Sequence, residues 1–330
     1  MTVPAAFNAF RIHNDAAAYR SGIEQVSIDD LAPGEVTIKT AYSSINFKDA
    51  LAGTGEGKIL RKFPLVGGID VAGHVVASSD AKFKEGDAVL VTGCGLSETR
   101  DGGYSEYARL DAKWAIPLPA GLSLRESMVL GTAGFTAALA LFRLLENRQT
   151  PELGPLAVSG ASGGVGSLAL DIFSRAGFEA HAISGKAEQA DYLKSIGASQ
   201  VLGRDALATT RPMESARFGG GLDNVGGPML ASLLAQTAPY GNVATAGLAA
   251  THDLGTTVMP FIIRGVSLLG IASAGTARAI RDEIWQRLAS DWKPAHLDRI
   301  CTREVALSEL PQVFPGMLAG GSLGRTLVVI

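Results

Sequence analysis

Cysteine is nearly absent: Cys94 and Cys301 are the only two in 330 residues. That scarcity excludes a disulfide framework and a four-thiolate zinc site. Two unpaired thiols suit a reducing compartment, so a cytoplasmic location is expected. Charge is also scarce. Charged side chains make up 18% of the chain, the net charge is -3, and no basic block occurs. Nucleic acid and an anionic membrane are therefore not expected as main partners. No apolar run reaches roughly 18 residues, so no membrane span is expected. The start, Met1-Thr-Val-Pro-Ala-Ala-Phe7, lacks the basic-then-apolar pattern of a secretion signal. Internal repeats and low-complexity segments are missing as well. What is present is an apolar fraction of 47% in a chain long enough for one large or two ordinary domains.

Leu156-Ala-Val-Ser-Gly-Ala-Ser-Gly-Gly-Val-Gly166 carries the strongest signal. It reads as a buried strand, a glycine-rich turn and the start of a helix. Gly160, Gly163 and Gly166 fall three apart, which lets the backbone turn tightly and approach a phosphate. The helix N-terminus then favours a pyrophosphate through its free N–H groups and dipole. Ser162, Gly163, Gly164 and Val165 are the contacts expected at that turn. A packed helix follows, and then a second strand at Glu179-Ala-His-Ala-Ile183. The whole unit spans the roughly 30 residues that a dinucleotide fingerprint needs.

The region before about Leu118 reads as β structure. Glu35–Tyr42 alternates as a half-buried strand, and Gly73–Ala77, Asp87–Val91 and Tyr104–Leu110 follow with glycine turns between them. Ser123 and Glu126 form a possible capping box for a helix, and Gly134–Leu145 reads as another helix. From Leu156 strands and helices alternate, giving a parallel sheet. Its later strands are expected at Gln200–Leu202, Gly221–Val225, Gly241–Thr245 and Val266–Ile271, with a helix over Thr276–Leu288. The terminal Gly324–Ile330 is a strand that needs a sheet, so a return to the first domain is expected. The fold class is α/β, with a β-rich domain beside a doubly wound parallel sheet. Boundaries are expected at 1–122 with 291–330 for the first domain and at 123–290 for the second.

The end of the second strand of such a sheet meets the adenosine ribose. Here that place holds Ser184-Gly185-Lys186 and no carboxylate. Lys186 offers a cation and Ser184 a hydroxyl to a 2′-phosphate, so NADPH is expected over NADH. Arg204, after the next strand, would reach the same phosphate. Lys186 reads otherwise as a solvated residue at a helix start. Later strand ends would line the nicotinamide, through Asn224, Leu248 and Ser273, with Ile262 packed nearby; each also reads as ordinary core.

The domain order resembles the medium-chain dehydrogenase/reductase superfamily along the whole chain. Ser43–Leu51, Lys58–Pro64, Gly68–Gly73, Ser159–Gly166 and Gly324–Leu327 are similar to the branch of acrylyl-coenzyme A reductases and quinone oxidoreductases. The resemblance implies a GroES-like β-rich catalytic domain and a Rossmann-type NADP domain. It also implies NADPH-dependent, zinc-free reduction of an activated carbon–carbon double bond, with acrylyl-CoA to propanoyl-CoA as the leading case. Quinone reduction and non-catalytic NADPH binding are the alternatives. Zinc enzymes of the superfamily place a cysteine where Asn46 stands and His-Glu where Ile69-Asp70 stands, so the catalytic zinc shell is not expected. The branch usually has tyrosine where Phe47 stands and proline where Gly67 stands.

Reduction of an enoyl thioester builds charge on the thioester oxygen, which the protein must stabilise. Asn46 would donate a hydrogen bond, Lys48 would stabilise the enolate, and Asp49 would orient Lys48. Tyr104 is a further candidate donor, and Tyr42 a cofactor contact from the first domain. Asn46 to Asp49 reads alternatively as a helix cap. Lys58, Arg61 and Lys62, or Arg278 and Arg281, would hold the phosphates of an acyl-CoA. With an apolar strand at Val266–Ile271 on the sheet edge, a homodimer is expected.

Overall fold

The structure is a computed structural model and describes residues 3–15 and 18–330. Its first eight strands are β1 Phe7–Asn14, β2 Tyr19–Val26, β3 Val36–Ile45, β4 Leu65–Val66, β5 Asp70–Ser78, β6 Ala88–Thr92, β7 Tyr107–Leu110 and β8 Ile116–Pro117. A short helix, α1, runs over Phe47–Thr54, and a long one, α2, over Leu124–Glu146. Six parallel strands follow: β9 Leu156–Ser159, β10 Ala180–Ile183, β11 Ala198–Leu202, β12 Phe218–Asp223, β13 Thr237–Thr245 and β14 Ser267–Gly270. Helix α3, Gly164–Arg175, joins β9 to β10, and the chain ends with β15 Cys301–Ala306 and β16 Arg325–Val329.

The chain divides into two compact units. The first holds residues 1–132, 274–282 and 301–330, and the second holds 133–273 and 283–300. In the first, β3 pairs with β5, β7 and β16, and the sheet runs β15-β16-β3-β5-β6-β8. The terminal strand β16 thus returns to β3, where Thr326 faces Ile45 and Val329 faces Tyr42. Pairing with β3 leaves the apolar Leu327 and Val328 fully buried. A second sheet, β2-β1-β4, encloses Phe10, Tyr104 and Phe314, which meet edge-on or stacked at 5.8 to 6.5 Å between ring centres. Each such ring contributes ~2–3 kcal/mol by burial.

The second unit is a six-stranded parallel sheet in the order β11-β10-β9-β12-β13-β14. The chain winds outward in one direction from β9 to β11 and in the other from β12 to β14. The crevice between β9 and β12 is the topological switch point, where ligands of open α/β sheets bind. The apolar runs of β9, β10 and β12 are fully buried, as parallel strands covered on both faces must be.

The helix expectations hold, and the domain boundaries differ from those expected. The capping box is present, with Ser123 N–H donating to Glu126 Oε2 at 2.8 Å. It opens the 23-residue run α2, which is two helical stretches joined at a kink where Gly131 leaves the helical conformation (φ 50°, ψ -154°), in keeping with the two helix patterns of the sequence. That helix is long and apolar enough to cross a membrane, yet 78% of its apolar window is buried inside the fold. The unit boundary falls after Thr132 rather than at residue 123. Residues 274–282 join the first unit because Arg281, only 2% exposed, donates to the Thr92 carbonyl at 2.9 Å. Residues 291–300 belong to the second unit, where Trp292, Leu297 and Ile300 are buried and Asp171 accepts from His296 N–H at 2.8 Å.

Candidate functional site

Two sets of residues carry the chemistry, one in each unit. In the second, β9 ends at Ser159 and the chain turns at Gly160 with φ 60°. A Cβ on Gly166 would stand 2.4 Å from the Gly160 carbonyl, so only glycine lets α3 pack this close to the turn. The first helical bond is donated by Ser167 N–H to Gly163 O at 2.8 Å. The N–H groups of Gly164, Val165 and Gly166 precede it and have no acceptor within the helix. Ser162 is buried, whereas Gly163, Gly164 and Val165 are half-buried at the turn. The set fits a pyrophosphate.

Neighbouring side chains lock this turn. Ser159 Oγ donates to Asp223 Oδ1 at 2.7 Å, and Gly226 N–H donates to Asp223 Oδ2 at 2.7 Å. Burial pushes the Asp223 carboxyl up, against these hydrogen bonds. Asn224 donates its amide to the Ser159 carbonyl at 2.8 Å. Its side chain therefore braces the switch point. At the end of β10, Ser184 Oγ accepts from Lys186 N–H at 3.1 Å. A Cβ on Gly185 would stand 2.4 Å from Arg204 Nε and 2.8 Å from its Cζ. Arg204 therefore lies across Gly185, in the turn that also carries Ser184 and Lys186. Leu248 and Ile262 are 65% and 76% exposed, and Ser273 is half-buried at the end of the unit.

In the first unit, Asn46 ends β3 and opens α1. Its backbone N–H donates to Asp49 Oδ2 at 2.8 Å, the side-chain half of a capping box. The cap reading of Asn46 and Asp49 is thus correct, but it describes only part of the arrangement. Asn46 Nδ2 donates to Asp49 Oδ2 at 3.1 Å and to Asp70 Oδ2 at 2.8 Å. Its Oδ1 accepts from Arg325 Nη1 at 3.1 Å. Asp70 Oδ2 also accepts from Ser44 Oγ at 2.7 Å and from Thr132 N–H at 2.9 Å, while Oδ1 accepts from Thr132 Oγ1 at 2.5 Å. Arg325 is completely enclosed. It donates to the carbonyls of Ile45 and Val129 and stands 4.0 Å from Asp70. Burial lowers its guanidinium pKa, and the charges of Asp70 and Asp49 raise it. Asp49 Oδ1 accepts from Ile69 N–H at 2.9 Å. Burial first, and the Asp70 charge second, push the Asp49 carboxyl up to about 7.

Gly131, where α2 bends, touches the same network. A Cβ there would lie 2.6 Å from Asp70 Oδ2, 2.7 Å from Ser44 Oγ and 2.9 Å from Arg325 Nη2. Asn46 has both amide protons committed to carboxylates, so it positions the network and offers no spare donor. Asp49 faces Asn46 and Ile69, not Lys48. Lys48 instead pairs with Glu98 and keeps 35% of its side chain exposed. Tyr104 is 1% exposed and donates to the Ser44 carbonyl at 3.0 Å. Burial holds its phenol well above the usual tyrosine range, so it acts as a packing and bracing residue. Tyr42 lies half-buried on β3, opposite Ala72 and Val329. Arg281 is committed to Thr92 and is not available to a coenzyme phosphate.

Residues 32–120 match the alcohol dehydrogenase GroES-like domain, and residues 164–290 match the zinc-binding dehydrogenase family. The chain is 44% identical over 98% of its length to the acrylyl-CoA reductase AcuI of Ruegeria pomeroyi, of which it covers 98%. It is equally identical, with the same coverage of both chains, to YhfP of Bacillus subtilis, whose name assigns it provisionally to the quinone oxidoreductases. The chain belongs to the medium-chain dehydrogenase/reductase family. The structure of YhfP with NAD bound superposes on this oxidoreductase with a TM-score of 0.95, at 43% identity over 99% of this chain and 100% of that one. The YhdH oxidoreductase of Salmonella enterica in complex with NADP gives 0.94, at 42% identity over 98% and 99%.

The family description implies zinc, and this member does not fit it. Asn46 offers a neutral amide oxygen turned to the Arg325 guanidinium in place of a thiolate, Ile69 is apolar, and Asp70 already accepts from Ser44, Asn46 and Thr132. Among the described residues no three His, Cys, Asp or Glu side chains stand together as a metal shell. The pattern of residues assigns Asp70 only as the counterpart of a zinc-enzyme glutamate and assigns Arg325 nothing, although both lie in segments that carry the resemblance. One signal exists for them: each opens an otherwise apolar strand, where a charge must be paired or exposed. Thr132, Ser44 and Glu98 carry no comparable signal.

Proposed function

We propose that this protein reduces the activated double bond of a short enoyl thioester with NADPH, converting acrylyl-CoA to propanoyl-CoA. The observation that carries the reading is the closed network around Asn46, which replaces a metal shell by hydrogen-bonded carboxylates and leaves Lys48 as the accessible cation beside it. Without a Lewis acid, an alcohol substrate lacks the stabiliser of its alkoxide. An enoyl thioester needs only a donor or cation near its oxygen as charge moves there. The acrylyl-CoA reductase name of a 44% identical relative supports the same chemistry.

The cofactor corner supports NADPH. The Salmonella relative carries NADP and the Bacillus relative NAD, so kinship alone does not choose. Ser184, Lys186 and Arg204, with two cations and a hydroxyl in one turn region and no carboxylate, would favour a 2′-phosphate. The glycine turn and the N–H groups of Gly164 to Gly166 hold the pyrophosphate. When bound, the reduced nicotinamide supplies the hydride that adds to the β-carbon. Lys48 stabilises the thioester oxygen as the enolate forms, before a proton reaches the α-carbon. Asn46, Asp49, Asp70 and Arg325 keep the end of β3 and the start of α1 rigid, so that Lys48 projects from a fixed base. Arg61 and Lys62 hold the phosphates of the coenzyme.

Oxidation of NADPH against acrylyl-CoA, a small enone and a benzoquinone tests the reading. Acrylyl-CoA is expected to turn over with the highest kcat/KM, and Lys48→Met to lower kcat about 100-fold, as removal of one oxyanion stabiliser does. Preference for the quinone, or full activity of Lys48→Met, overturns it.

A further inference from the structure

The segment after β6 is built under strain. Gly93, Cys94, Gly95 and Ser97 all adopt left-handed φ, at 68°, 54°, 81° and 57°. Cys94 and Ser97 have a Cβ and do not take that conformation without surroundings that impose it. Both are buried, and the Ser97 hydroxyl has no hydrogen-bond partner among the described residues. A buried orphan hydroxyl beside two left-handed residues marks a segment shaped for something other than stability. Its next residue is Glu98, whose side chain is 19% exposed and meets the Lys48 ammonium. Backbone bonds fix Glu98 from both sides: its N–H donates to Gly95 O at 3.1 Å, and its carbonyl accepts from Arg61 N–H at 2.8 Å.

We propose that Glu98 is the positioning residue for Lys48, and that the strained segment from Gly93 to Ser97 exists to present it. This rests on the reduction proposed above. Lysine carries its charge on a flexible four-carbon stem, so the ammonium has no fixed place unless a partner supplies one. Glu98 supplies it and, through the Arg61 contact, sets that place relative to the basic loop that receives the coenzyme. The thioester oxygen then meets an ammonium already held in register, which is where enzymes gain most from orientation.

The experiment uses the full chain and the variants Glu98→Gln, Lys48→Met and the double variant. In Glu98→Gln the kcat for acrylyl-CoA is expected to fall about tenfold, with the KM for NADPH within about twofold of the parent. In the Lys48→Met background the same change is expected to have no further effect, since two residues acting through one contact are not additive. A structural role would instead lower both backgrounds alike, and that result, or an unchanged kcat, overturns the proposal. Acetic anhydride labelling of Lys48, read by mass spectrometry, gives a readout independent of turnover. Glu98→Gln is expected to speed labelling several-fold, and an unchanged rate overturns the pairing. A parent protein that turns over no alkene sinks the proposed reaction instead, while the labelling still judges whether Glu98 holds Lys48.

Discussion

Asp49 gives the sharpest test of the buried network. Its carboxyl lies at about 7 in the folded chain, against 3.8 for the ordinary group, chiefly from burial and then from Asp70. A carboxyl raised on folding binds its proton more tightly in the native state. Its contribution to stability is full below pH 3.8 and is lost as pH rises through 7. Linkage between those two values removes on the order of 2–3 kcal/mol from pH 5 to pH 8. Asp49→Asn cannot titrate. It has one oxygen where Asp49 uses two, for Asn46 and for Ile69, and losing an acceptor costs about 1–2 kcal/mol at every pH. The parent is therefore expected to be the more stable protein at pH 5, and the gap to close or reverse by pH 8. Urea unfolding of both proteins at constant ionic strength measures this, because titrating groups remote from Asp49 cancel in the difference. A difference that stays flat, or one that grows with pH, refutes the assignment. In an Asp70→Asn background the like charge is gone, so the pH-dependent part of the gap is expected to shrink.

Lys186→Ala and Arg204→Ala are each expected to raise the KM for NADPH about 10- to 100-fold, with little change for NADH, as loss of a charge-assisted phosphate contact does; equal effects on both cofactors refute the 2′-phosphate corner. Gly131→Ala is expected to cost about 3 kcal/mol, from a left-handed φ and from crowding Asp70, Ser44 and Arg325. A melting temperature within about a degree of the parent contradicts that close approach. Neutralising Arg61 and Lys62 together is expected to impair acrylyl-CoA turnover and spare small quinones; equal loss on both removes the coenzyme role. Strand β14 forms one edge of its sheet, and Ile262 and Ile263 are 76% and 63% exposed. A homodimer is expected by light scattering, and a monomer at micromolar concentration rejects it.

Local pattern and turn chemistry made much of the fold legible. The parallel strands from β9 onward, the capping box at Ser123 and the return of β16 to the first sheet all follow from short apolar runs, glycine turns and a terminal strand that needs a partner. The two helix patterns on either side of Gly131 are present as well, joined at a kink where that glycine leaves the helical conformation. Sequence shows a glycine there, but not the carboxylate that demands it.

The sequence alone determined the nucleotide side of this protein, because a phosphate cradle is made by backbone geometry over a few consecutive residues. It also determined that no cysteine-rich zinc lobe exists. Tertiary structure decided what Asn46, Asp49, Lys48 and Tyr104 do. Asn46 meets Asp70 across 24 residues and Arg325 across 279, and such contacts leave no local pattern. The partner of each polar group, and the burial that raises the Asp49 carboxyl, exist only once distant segments exclude water together.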